Sequence, residues 1–190
     1  MTGLTIGIIG LVLTALLCGI GSGLGLKATG KAAAGVLSED PSKFSKVIVL
    51  SLLPATQGIY GFLIAILGAS YLPTAANIGN AAVTYAQLNA QGWNVFWACL
   101  PMMLGGAVSA YLQGRTAATT IIAVGKKSEI ASKSIIFPAM IEFYALLGLV
   151  VSIMMFNNMP IDAITNPNTA PEAPQVIEGA LRTVSAFFGA

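Results

Sequence analysis

Four stretches of this chain are too long and too apolar to lie in water as ordinary segments. They cover about residues 4–26, 47–72, 93–114 and 134–156, and Glu142 is the only acidic or basic side chain in any of them. Each is near or above the roughly 20 residues a helix needs to cross ~30 Å of hydrocarbon. Hydrocarbon offers no hydrogen-bond partner, so every backbone N–H and C=O must be paired within the protein. Runs of this length meet that demand as helices. The chain therefore reads as an all-α membrane protein with four transmembrane spans. The helical pattern of the first and third spans continues to about Leu37 and Gly125. Both helices are expected to protrude from the membrane.

The charges order these spans into two tandem hairpins. Eight of the nine basic residues (Lys27, Lys31, Lys43, Lys46, Arg115, Lys126, Lys127 and Lys133) flank the first and third connections. The middle connection, about 73–92, carries no charge. Basic residues collect on the cytoplasmic side of membrane proteins. Both basic turns are thus expected in the cytoplasm of a multi-pass cell-membrane protein, with both termini and the middle loop outside. This divides the chain into hairpin 1 (1–77), an extracytoplasmic loop (78–92), hairpin 2 (93–158) and a tail (159–190). The first span has no basic residue before it and is long for a signal peptide, so it reads as a retained helix.

The composition excludes several classes of function. The chain is 56% hydrophobic and 8% charged, with no histidine. Histidine metal sites and histidine bases are ruled out. A net charge of +2 gives no footprint for nucleic acid. Cys18 and Cys99 lie in apolar runs and read as packing residues. No nucleophile–base pair or nucleotide loop is present, so the chain is not expected to be an enzyme in itself.

The hairpins read as copies of one another. At an offset of 84, "GKAAAG" from Gly30 matches "GRTAAT" from Gly114, Pro54 and Ala55 match Pro138 and Ala139, and Tyr60 matches Tyr144. An internal duplication is the most economical explanation. At the same offset, Gly58 stands where the second copy has Glu142. Small residues crowd spans one and three, at Gly19, Gly21, Gly23, Gly25 and Gly30 and again from Gly105 to Ala110. Such residues let membrane helices approach closely. They suit ordinary hairpin packing; a sharper reading is the crowded inner wall of a ring of hairpins.

Glu142 is the residue that most needs an explanation. An acidic side chain at the bilayer centre costs at least about 2.5 kcal/mol and marks a functional site by default. Its alternative is a protonated, hydrogen-bonded structural acid. At 1.5 Å per residue, Glu142 lies about 14 Å from Lys133, Gln57 about 16 Å from Lys46, and Gln113 about 20 Å from Lys126. The polar groups of "ATQGIY", "LQG" and "IEFY" can therefore meet in one layer. One carboxylate with neutral oxygens suits a hard cation. Glu142 would supply the charge, Gln57 and Gln113 amide oxygens, and Thr56 a hydroxyl. Tyr60 shares a helix face with Thr56. Pro54 cannot donate to the carbonyl four residues earlier, which loosens this turn and can free backbone oxygen. Arg115 is about 200° round the helix from Gln113 and is expected to point away. Taken singly, each glutamine could instead bridge helices, and each tyrosine could be a packing aromatic.

"LLPATQGIYGF", "YLQGRTAA" and "IIFPAMIEFYALLG" resemble the membrane-rotor proteolipid of V-type ATPases. The likeness is to the duplicated, four-helix c-type (K) subunit, most closely its sodium-pumping bacterial kind, and covers about residues 15–156. The resemblance implies a homo-oligomeric ring turned by an ATP-driven central stalk on the cytoplasmic side. Each subunit would carry one cation past a stator membrane subunit that bears an arginine. It implies Na+ ligands at the Leu53 carbonyl, Thr56, Gln57, Gln113 and Glu142, with Tyr60 orienting the glutamate. H+ on Glu142 is the alternative cargo, and the turn around "SEDPSK" (38–43) is a candidate stalk contact. A reading from another class is a small channel or structural proteolipid that assembles through its glycines.

The tail departs from that family, whose members tend to end soon after the fourth span. "NNMPIDAITNPNTAPEAPQ" reads as a linker. After it, Val176, Ile177, Ala180, Leu181, Val184, Phe187 and Phe188 recur at helical spacing, which predicts a short C-terminal amphipathic helix. It could lie at the membrane interface, on a neighbouring copy or across a ring lumen.

Overall fold

The structure, a computed structural model, describes residues 2–72 and 85–159. Every regular element among them is helical. Helix α1 (Thr2–Glu39) is followed by a 3₁₀ turn (Pro41–Lys43), α2 (Phe44–Leu52), a 3₁₀ turn (Leu53–Ala55) and α3 (Thr56–Ala69). Then come α4 (Tyr85–Lys126), a 3₁₀ turn (Ser128–Ile130), α5 (Ala131–Ser134) and α6 (Ile136–Asn157). Four segments, Gly3–Glu39, Pro41–Ala69, Tyr85–Lys126 and Ser128–Asn157, are long and apolar enough to cross a membrane. Two helical hairpins result, as the spacing of the charges predicts. The middle loop (73–84), the linker beyond Met159 and the amphipathic tail helix lie outside the described residues.

The helix of the third span begins before the apolar run that it carries. Helix α4 starts at Tyr85 rather than near Trp93. Its first turns are polar, so hydropathy reads them as loop. The fold removes that polarity from solvent: Gln87 and Gln91 are buried, and Gln91 Nε2 donates to the Tyr71 carbonyl at 3.0 Å.

The two turns share a design but differ in register. An extended residue, Asp40 or Lys127, breaks the long helix, and a 3₁₀ turn restarts the chain. These turns lie 87 residues apart, Pro41–Lys43 against Ser128–Ile130, whereas the motifs on either side lie 84 apart. Three residues added to the end of α4 are thus removed again before Pro138. In the first turn Asp40 accepts from the Ser42 N–H at 3.1 Å and the Ser42 hydroxyl at 2.6 Å. The hydrogen bond from the Ser42 side chain, with help from Lys43, holds the exposed Asp40 carboxyl below its ordinary value. Lys43 Nζ sits 3.1 Å from Asp40 and donates to the Gly125 carbonyl at 2.8 Å. A cation at the end of α4 suits the helix dipole there and ties the two hairpins together.

Helices α1 and α4 lie side by side because glycine lets them. A Cβ at Gly21 would stand 2.5 Å from the Ala107 carbonyl oxygen, and one at Gly25 2.7 Å from that of Ala110. One at Gly114 would drive into the Gly25 backbone. The other predicted glycines, Gly19, Gly23 and Gly30, have open space where a Cβ would go. The run therefore splits into a packed row and an open row.

Two apolar clusters hold the bundle. One gathers Leu11, Cys18, Ile64, Val95, Cys99, Met102 and Phe156. The other gathers Val47, Leu50, Ile121 and Val124 nearer the basic turns. Cys18 and Cys99 are free and buried. Pro101 sits inside α4, and its missing N–H loosens the ladder there. Met102 adapts by donating its N–H to the Ser152 hydroxyl at 3.1 Å, while the Cys18 thiol donates to the Met102 carbonyl at 3.4 Å. Between the two clusters lies a polar layer.

Candidate cation site

That layer begins at Pro54. Proline denies the Leu50 carbonyl its usual donor, and the chain tightens into the 3₁₀ turn Leu53–Ala55 between α2 and α3. The tightened turn directs the Thr56 N–H back onto the Leu53 carbonyl. The Thr56 hydroxyl joins it there at 3.1 Å and lies 3.2 Å from Gln57 Oε1. The carbonyl predicted as a ligand is thus the one on which Thr56 closes, one turn beyond the oxygen that the proline frees.

From Gln57 the polar chain crosses helices. Gln57 and Gln113 are both completely buried. Gln57 Nε2 donates to Gln113 Oε1. Gln113 Nε2 on α4 donates to Glu142 Oε2 on α6 at 3.4 Å. The Tyr60 hydroxyl on α3 donates to the other carboxylate oxygen, Oε1, at 3.1 Å. Leu53, Thr56, Gln57, Gln113, Glu142 and Tyr60 therefore form one continuous set on three helices. The residues sequence reasoning grouped by depth alone are brought together.

Nearby groups stay apart from this set. Arg115 is exposed, and its guanidinium lies 5.8 Å from the centroid of the Tyr111 ring. Tyr144, the counterpart of Tyr60, is 69% exposed on the outer face. One participant was missed: the Ser22 hydroxyl on α1 accepts from the Gly58 N–H at 2.8 Å. It braces the backbone next to Gln57. In "GIGSGLG" a serine reads as one more small packing residue. The available signal was that a hydroxyl inside an apolar span needs a partner.

The arrangement has a clear chemistry. One carboxylate shares a layer with the Leu53 carbonyl, the Thr56 hydroxyl and the Gln57 and Gln113 amides, and itself accepts from Gln113 and Tyr60. Hard cations prefer such oxygen ligands. A monovalent cation would also make the set electrically neutral.

Comparison with known proteins agrees with this architecture. The family model for the C subunit of ATP synthase matches twice, over residues 9–68 and 96–155, which is well over half of the chain. The chain belongs to the ATP synthase C-subunit family. It is a member in duplicated form, a multi-pass membrane protein with one family copy per hairpin. Among its relatives is the V-type sodium ATPase subunit K of Enterococcus hirae, 38% identical over 156 residues, which cover 82% of this chain and 93% of that protein. Another is the A-type ATP synthase subunit K of Methanocaldococcus jannaschii, 36% identical over 152 residues, which cover 80% of this chain and 62% of that protein. This C-subunit family member is thus a c-type, K-like proteolipid, of a family that forms a ring within an ATPase complex.

Proposed function

We propose that this protein is the rotor-ring subunit of a sodium-translocating V-type ATPase and carries one Na+ per subunit on Glu142. The observation that carries this reading is the unbroken polar chain from the Leu53 carbonyl to Glu142, closed by Tyr60. Likeness to a sodium ATPase subunit supports the choice of ion. The chain itself is non-catalytic; ATP hydrolysis belongs to the soluble sector that drives it through a cytoplasmic central stalk.

The mechanism follows from charge. Na+ enters from a half-channel in the stator subunit and is bound by Glu142, Gln113, Gln57, Thr56 and the Leu53 carbonyl. Tyr60 keeps the carboxylate aimed at the ion. The neutral pair can face lipid, where a bare carboxylate would cost at least about 2.5 kcal/mol. Rotation carries it to the second half-channel, where a stator arginine displaces the ion. Moving one charge against 100 mV costs about 2.3 kcal/mol, so each hydrolysis event drives a few such steps. In this reading the basic turns face the cytoplasm and the termini face outward.

The second reading is a proton on Glu142. The Tyr60 hydroxyl, 3.1 Å from the carboxyl group, can serve it by turning to accept from the acid's O–H. Carbodiimide modification of Glu142 across pH separates the two. Protection by millimolar Na+ but not K+ is expected. Modification that follows pH alone would replace Na+ with H+ as the cargo. A chain that never cosediments with a soluble ATPase sector would sink both.

A further inference from the structure

A cavity lies away from the Glu142 layer, between the start of α2 and the turn before α6. Its volume is about 370 Å³, within the range of small-molecule sites. Lys46, Glu129 and Ser132 line it together with Val49, Leu50 and Ile135. Opposite charges share this cavity without cancelling each other. Among the described residues the ion pair formed is that of Lys43 with Asp40.

We propose that this cavity holds the headgroup of a zwitterionic phospholipid with a primary amine. The level in the membrane is right. Lys46 and Lys133 are the last charges before the second and fourth apolar spans, so the cavity straddles the boundary where phosphates and glycerol backbones lie. The surface beside it is apolar and uncovered by the chain itself, as a lipid-facing surface requires: Phe44, Leu52, Ile136 and Phe137 are all more than half exposed. Basic pockets between membrane helices are established headgroup sites, and this one adds an acid. Lys46 and the Ser132 hydroxyl donate to the phosphate. Glu129 accepts from the ammonium. Val49, Leu50 and Ile135 take the first carbons of the acyl chains. A purely anionic headgroup would meet Glu129 without a compensating ammonium. A choline headgroup has the positive charge but no N–H to donate. A docked protein segment would leave the apolar floor facing a charged, water-facing partner.

The test uses the full-length protein in vesicles of equal parts phosphatidylethanolamine, phosphatidylcholine and phosphatidylglycerol, each carrying a photoreactive acyl chain. Crosslinks are mapped by mass spectrometry. Phosphatidylethanolamine is expected to dominate on peptides covering 44–52 and 128–136, by about tenfold over phosphatidylcholine, the factor for one charge-assisted hydrogen bond. Glu129→Gln should remove that preference, Lys46→Gln should lower labelling by all three lipids, and Lys127→Gln, one residue outside the turn, should change neither. Unchanged helicity by circular dichroism shows that the variants fold. Equal labelling by the three lipids, dominance of phosphatidylglycerol, or a preference that survives Glu129→Gln would overturn the assignment. So would displacement by equimolar soluble O-phosphoethanolamine, which would mean a soluble ligand. Displacement by an added soluble ATPase sector would mean a protein-docking face and would also overturn it. None of these readouts depends on which ion Glu142 carries.

Discussion

At an offset of 84 residues, Glu142 stands against Gly58, Gln113 against Thr29, Gly114 against Gly30 and Tyr60 against Tyr144. The same positions in two copies of one hairpin have been put to opposite uses. Around Glu142 the polar groups reach across helices to each other. Around Gly58 they turn back to the backbone: Thr29 donates to the Ser51 carbonyl at 3.0 Å, and Ser22 accepts from the Gly58 N–H at 2.8 Å. Thr56 and Gln57 have as counterparts Met140 and Ile141, which offer no oxygen. The difference teaches how a duplicated membrane site is retired. Removing the carboxylate alone would leave its partners unpaired in a dry layer, at about 1–3 kcal/mol for each buried group. Here the partners are apolar or satisfied locally.

The comparison can be broken most forcefully at the acid itself. Glu142→Gln should reduce ATP-driven cation transport to background while the protein still inserts and assembles. Transport at the wild-type rate would remove the asymmetry between the copies as a functional fact. Next comes packing. Gly114→Ala drives a Cβ into the Gly25 backbone, and such overpacking costs about 1–3 kcal/mol or more. Gly30→Ala meets open space and should shift thermal stability in detergent by less than about 0.5 kcal/mol. An equal loss at Gly30 would mean that a neighbouring copy covers the open row of α1.

Gln113→Leu sharpens the comparison within the polar layer. It strands Gln57 Nε2 and one oxygen of Glu142, so Na+ protection of Glu142 against carbodiimide should need about tenfold to a hundredfold more Na+. Thr29→Val should leave that protection where it was. Equal effects from the two variants would show that the layer acts through packing alone. The smallest effect is expected at the tyrosines. Tyr60→Phe removes one hydrogen bond to the carboxylate and should weaken Na+ protection about tenfold. Tyr144→Phe, on the exposed outer face, should do nothing measurable. A reversed order would place the orienting hydroxyl in the wrong copy.

Much of this architecture is legible in one dimension because the membrane is an undemanding reader. A long charge-free run has one outcome in hydrocarbon, so the four spans, the two basic turns and the lone acid follow from composition along the chain. The duplication follows from the repeat of "GKAAAG" as "GRTAAT". Even the candidate site was reachable, because helix rise converts residue number into depth and so gathers Gln57, Gln113 and Glu142. What hydropathy misreads is polarity that the fold hides. The first turns of α4 look like loop until Gln91 is seen bonded to Tyr71.

Sequence by itself therefore determined how many times the chain crosses, where the one charge within an apolar span sits and which residues share that depth. Only the tertiary structure decided which partner each polar group takes. It turned Gln57 toward Gln113 and Tyr60 toward Glu142, set Ser22 under Gly58, and chose Gly25 and Gly114 over Gly19 and Gly30 as the contact between α1 and α4. Depth is a property of one helix and is counted along it. Azimuth and pairing are properties of two helices at once, and hydrocarbon makes them decisive, because each polar group must find its partner inside the protein.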